Sequence, residues 1–215
     1  MPAVSEMLKT TEAAVVAQVS LRDVNRVIDE RILPDSFVSL DERRQISTSA
    51  CSLIAFYFES ARRLTSEQRL SAMRFAEARL QITGMTSEML KADWTFREDF
   101  LTIDFRPFVT RALARLTKLD EARRVITASA DILGGTPVIR GTRIPVHDIA
   151  SALAAGASED EMLEDYPALN RKKLALAAFY AEANPLRGRP RPLSTRLPAG
   201  TRKISERRIK RISAE

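Results

Sequence analysis

The chain has 215 residues, with 34 arginines and lysines, 28 aspartates and glutamates, one cysteine and one histidine. Its length and its 45% share of hydrophobic residues allow one or two domains with real cores, and a lone cysteine excludes any disulfide within the chain. One histidine (His147) and one cysteine (Cys51) leave almost nothing for Cys/His zinc sites or Ser-His-Asp chemistry, so the expectation is a protein that is not an enzyme, with no catalytic residue, metal or cofactor.

The first segment, "TTEAAVVAQVSLRDVNRVIDERILP", predicts two short helices. Thr11 is placed to cap the first and Ser20 the second. In the second helix Leu21, Val24, Val27 and Ile28 share one face by the 3.6-residue period, and Arg22, Asn25, Arg26 and Asp29 share the opposite one. This spacing resembles the helix-turn-helix of the MerR-like DNA-binding proteins. The resemblance implies a second helix lying in the major groove, with Arg22, Asn25 and Arg26 reaching bases or phosphates. "SFVSLDERRQIS" then predicts a small wing hairpin carrying Arg43 and Arg44. Gln18 stands at the turn, where glycine is usual. Residues 1–48 hold six cations against eight acids, so an ordinary helical hairpin with a solvated face is the alternative.

From Thr48 to Ile82 the pattern is helical, with a break near Leu64–Thr65 and a capping box at Thr65 and Gln68. "CSLIAFYF" is apolar on nearly every side and fits a buried helix or a dimer interface; Cys51, within it, fits a small core residue. "WTFREDFLTIDF" predicts one or two strands. Pro107 starts a further helix with Phe108, Val109, Ala112, Leu116 and Leu119 on one stripe, and "RRVIT" predicts a strand.

"DILGGTPVIRGTRIPVHDI" is rich in glycine, but its glycines flank strands and no lysine accompanies them, so a phosphate loop is excluded. Gly141–Thr142 predicts a two-residue type II′ hairpin loop between Val138–Arg140 and Arg143–Pro145, and Gly134–Gly135 a separate tight turn. Three helices follow. The first spans Val146–Ala155, the second opens on the capping box Ser158–Glu161 and buries Met162, Leu163 and Tyr166, and the third is capped by Asn170 and runs to about Ala183. Arg171, Lys172 and Lys173 occupy the first turn of that last helix, where the dipole disfavours cations by about 0.3–1 kcal/mol each. They constitute a second candidate anion-binding site, with a hydrated helix start as the alternative.

The run from Ser129 to Ala183 resembles the domain-of-unknown-function family 433, with "GGTPVIRGTRIPV" as the matching core. The chain departs from the family at Ser129–Ala130, where Asp-Pro is expected. Many members of that family are VapB-like antitoxins encoded beside a PIN-like ribonuclease toxin. The resemblance implies a cognate toxin as partner, while the amino-terminal helix-turn-helix points to operator DNA as a second partner and to a homodimer, since such readers use paired half-sites.

From Pro185 the composition changes to Pro, Gly, Arg and Ser. This tail carries ten arginines or lysines and two glutamates, a net +8, which leaves −2 on the other 184 residues. It is expected to be disordered alone and to fold on a nucleic acid or an acidic protein surface; a solvated tail is the bland alternative. Arg187, Arg189, Arg191, Arg196, Arg202, Lys203, Ile204, Arg207, Arg208, Ile209, Arg211 and Ile212 are its candidate toxin-binding residues, because guanidinium forks suit the carboxylate cluster of such a ribonuclease.

The fold expected is therefore mainly α with small β elements. Its segments are a helix-turn-helix region at 1–47, a helical scaffold or dimerisation region at 48–120, a hairpin-and-trihelical domain at 121–184 and a basic tail at 185–215. The function expected is an antitoxin that represses its own operon. The alternative is a stand-alone DNA-binding regulator whose tail grips the phosphate backbone, and an enzyme acting on nucleic acid is the weakest reading. No stretch resembles a signal peptide and no run of about eighteen apolar residues exists, so a cytoplasmic protein that does not enter a membrane is expected.

Overall fold

The computed structural model describes residues 6–41, 43–83 and 90–186. It is mainly α with small antiparallel β elements, and the described residues as far as Pro185 form one compact unit. No helix among the described residues is long and apolar enough to cross a membrane.

The chain enters through strand β1 (Met7–Lys9) and turns directly into α1 (Thr10–Ala17). Thr11 is therefore not the cap. Pairing of β1 with β3 (Gln45–Ser47) keeps the backbone extended up to Lys9, and the Lys9 N–H donates to Glu12 Oε2 at 3.1 Å. Three residues, Gln18–Ser20, separate α1 from α2 (Leu21–Asp29). Gln18 holds the left-handed backbone, φ 58°, that a glycine would adopt without strain. Ser20 caps α2 as its sequence demands, with Oγ accepting from the Asp23 N–H at 3.1 Å. Val24, Val27 and Ile28 are buried, whereas Leu21 stays 42% exposed because the core contact of α2 begins a turn later. Strand β2 (Val38–Ser39) pairs with β3, so the small sheet has the order β1-β3-β2.

Helix α3 (Ala50–Glu59) is buried from Ala50 to Tyr57 within this one chain, so its apolar faces are satisfied internally. Phe56 meets Phe105 and Phe108 with ring centroids 4.4 and 5.4 Å apart. Phe56 and Phe105, both fully buried, each contribute about 1.5–3 kcal/mol of transfer free energy. Cys51 is fully buried, and burial pushes its thiol up to about 12. Helix α4 (Ser66–Thr83) opens on the expected box, Gln68 N–H to Thr65 Oγ1 at 3.2 Å and Thr65 N–H to Gln68 Oε1 at 3.0 Å. Of the one or two strands expected from "WTFREDFLTIDF", two form, β4 (Thr95–Glu98) and β5 (Leu101–Asp104), paired as an antiparallel hairpin.

Helix α5 (Arg106–Val125) has Pro107 in its first turn and buries Val109, Ala112, Leu116 and Leu119, with Phe108 half-buried. It consumes most of "RRVIT", leaving only Ile126–Thr127 as strand β6. Strand β6 pairs with β7 (Val138–Ile139). Here the expected two-residue loop is corrected. The Thr142 N–H donates to the Ile139 carbonyl at 2.9 Å, which places Gly141, φ 80°, third in a four-residue turn. That is the glycine position of type II, not II′. The Ile139 N–H bonds to the Ile144 carbonyl at 3.0 Å, so four residues rather than two bridge the hairpin. Leu133, Gly134 and Gly135 make the other turn, all three with positive φ.

Helices α6 (Val146–Ala154), α7 (Glu159–Asp165) and α8 (Arg171–Ala183) follow, the last two with the expected caps at Ser158 and Asn170. Val146, Ile149 and Met162 are buried; Leu153, Leu163 and Tyr166 are half-buried. Helix α8 packs on α6, α5 and also α1, so the segments 1–47, 48–120 and 121–184 share one hydrophobic core.

Candidate nucleic-acid interface

Three anchors hold the α1–α2 pair. Arg115 of α5 donates Nε to the Val15 carbonyl near the end of α1 at 2.7 Å, and its guanidinium stands 5.1 Å from the Phe179 ring of α8. Glu12, 4% exposed, accepts from Arg123 Nη2 at 3.2 Å, and Arg123 also pairs with Glu6 and Asp120. Lys9 Nζ donates to Asn184 Oδ1 at 2.9 Å, while the Asn184 carbonyl lies 2.8 Å from His147 Nε2. The pair thus rests on α5 and on Asn184 just past α8, elements distant from it in sequence.

On this base α2 turns Arg22 and Arg26 outward, with Asn25 half-buried beside them. Thr11 is half-buried within α1, and Ser20 spends its hydroxyl on the cap. Arg26 donates Nε to Glu30 Oε1 at 2.9 Å, and that contact raises the arginine above its ordinary pKa. Arg44, next to β3, binds Asp29 Oδ1 through Nη1 at 2.9 Å, which ties the hairpin to the end of α2. Among the described residues Arg22 and Arg43 have no ion-pair partner. The sequence-predicted residues of α2 and of the hairpin base are therefore brought to neighbouring positions. The two acids that pair with them, Glu30 and Asp29, are marked differently by the sequence. Arg26–Glu30 was accessible from its i,i+4 spacing, whereas Arg44–Asp29 spans fifteen residues and carries no local signal.

The second candidate site has a different outcome. Arg171 pairs with Glu159 at 3.1 Å and Asp160 at 2.5 Å, and Lys172 with Glu121 at 2.8 Å, a bond that lowers the Glu121 carboxyl below its ordinary value. Lys173 Nζ donates to the Ala168 carbonyl at 3.0 Å. The negative groups that these cations require are supplied by α7, α5 and the turn before α8. The twelve candidate toxin-binding residues, from Arg187 to Ile212, lie outside the described residues. Among the described residues no three His, Cys, Asp or Glu gather as metal ligands.

Residues 126–181 match the family model described as a protein of unknown function, DUF433, starting three residues before the resemblance read from the sequence. The chain belongs to the family of the uncharacterized protein y4eO of Sinorhizobium fredii (strain NBRC 101917 / NGR234). The two are 60% identical over 213 residues, 98% of this chain and 96% of that protein. No solved structure matches the chain.

Proposed function

We propose that this protein is a DNA-binding antitoxin that represses its own operon as a homodimer and neutralises a PIN-like ribonuclease toxin. The observation that carries the DNA half is the α1–α2 pair. Its two helices meet across a three-residue turn, α2 presents Arg22 and Arg26 outward with Asn25 half-buried between them, and a hairpin bearing Arg43 and Arg44 is clamped to the end of α2. Strand β3 of that hairpin packs on α1 and α3, which supports reading it as a wing. Readers of this kind place the second helix in the major groove and use a dimer to span paired half-sites. The toxin half rests on the resemblance of the 126–181 segment and on the segregated charge of the tail.

The test pairs the full chain with the product of the neighbouring small gene. Co-purification and relief of that product's toxicity are expected, and a neighbour that neither binds nor harms the cell removes the antitoxin role. A chain ended after Asn184 is expected to keep operator binding and lose neutralisation. The second reading, a stand-alone regulator, gains support from the shared core, in which the 126–181 segment buttresses the α1–α2 pair. A salt titration separates the two readings: deleting the tail flattens the slope of log affinity against log salt only if the tail neutralises phosphates.

A further inference from the structure

Helix α2 ends on two acids, Asp29 and Glu30, at the end where the helix dipole disfavours negative charge. The Arg26–Glu30 pair also has the weaker of the two i,i+4 orders, with the cation on the N-terminal side. Helix stability therefore gives no reason for Asp29, and for Glu30 only the smaller gain of the less favourable i,i+4 order. Each instead grips an arginine of the proposed reading surface: Glu30 holds Arg26, and Asp29 holds Arg44.

The atom that Glu30 takes is informative. A guanidinium has five N–H donors, one on Nε and four on the terminal nitrogens. Glu30 accepts from Nε at 2.9 Å, which fixes the roll of the planar group and leaves Nη1 and Nη2 as an end-on fork. The side chains of Arg26 and Glu30 are each 52% exposed, so the fork is open to a ligand. In the major groove only guanine offers two adjacent acceptors, O6 and N7; adenine sets a donor beside N7, cytosine a donor, and thymine one acceptor beside a methyl group. A phosphate also suits a fork, but the neighbouring Glu30 carboxylate repels it. We infer that Glu30 is a positioning residue which presets Arg26 to read guanine in the major groove and keeps it off the phosphate backbone. This rests on the DNA-binding reading proposed above.

The experiment selects binding sites for the full-length protein from a randomised duplex library. Affinities for the selected duplex are then compared with those for the same duplex carrying 7-deazaguanine at each selected guanine in turn. For the wild type, one such replacement is expected to weaken binding about 10-fold or more. In Glu30→Ala that penalty shrinks to about 2–3-fold while binding to mixed-sequence DNA rises. Glu30→Gln keeps an acceptor for Nε, so it recovers the larger penalty; a side chain that merely stabilised the helix would give no such recovery. Should Glu30→Ala keep the full wild-type penalty, the positioning role is overturned and the DNA-binding reading survives. Should the wild type select no sequence at all, both fall together.

Discussion

Glu12 is the residue whose role departs most from its sequence setting. In "TTEAAVVA" it looks like a first-turn acid favoured by the helix dipole, yet it is buried and its carboxylate joins the Lys9 backbone to Arg123 across 111 residues. Hydrogen bonds to a charged group are worth about 1.5–3 kcal/mol each, and removing one partner also strands the other. Glu12→Ala is therefore expected to lower stability by about 2–4 kcal/mol, read from the midpoint and slope of urea unfolding. Arg123 keeps Glu6 and Asp120, which limits the loss. No local pattern announces a bond of this kind, because its partner is set by how α5 crosses α1. Ser20 was legible for the opposite reason: a hydroxyl three residues before Asp23 needs nothing but its own helix.

Among the elements, α7 shows how much can be read from punctuation alone. Ser158 and Glu161 form the reciprocal box their spacing predicts, with the Ser158 N–H donating to Glu161 Oε2 at 2.7 Å. The Ser158 backbone N–H, with its hydroxyl, holds the Glu161 carboxyl below its ordinary value of 4.5. A lowered folded value stabilises the fold above about pH 4.5, and the contribution disappears as pH falls through the folded value. The wild type is accordingly expected to exceed Glu161→Gln in urea midpoint at pH 7, and the two are expected to converge below pH 4.5. Midpoints that differ equally at both pH values would contradict this. The turn at Gly141 was less legible. The glycine correctly marked a positive φ, but whether it stood first or second in the loop depended on where β7 ended, and the pairing of β7 with β6 decides that. Likewise the first-turn cations of α8 signalled a need for anions without saying that Glu159, Asp160 and Glu121 would meet it.

At the scale of the molecule, composition and period gave the architecture of mainly helix with small sheets, while the merging of three segments around one core was not in any of them. Leu174 of α8 sits fully buried in that core. Leu174→Ala is expected to cost about 2–5 kcal/mol. Native-state hydrogen exchange should show the slowest amides of α1 and α2 losing protection by the same free energy as those of α8. Amides of α1 that kept their protection would mean that the α1–α2 pair folds alone. The contact of α8 with α1 has a consequence for how the protein is made. The helix that carries the proposed reading arginines is made before α8, but α1 packs on α8, and Lys9 just before α1 bonds Asn184 just past α8. A nascent chain stalled before α8 would expose α1 without its seat, so the proposed DNA surface would become competent only after α8 had followed α1 out of the ribosome.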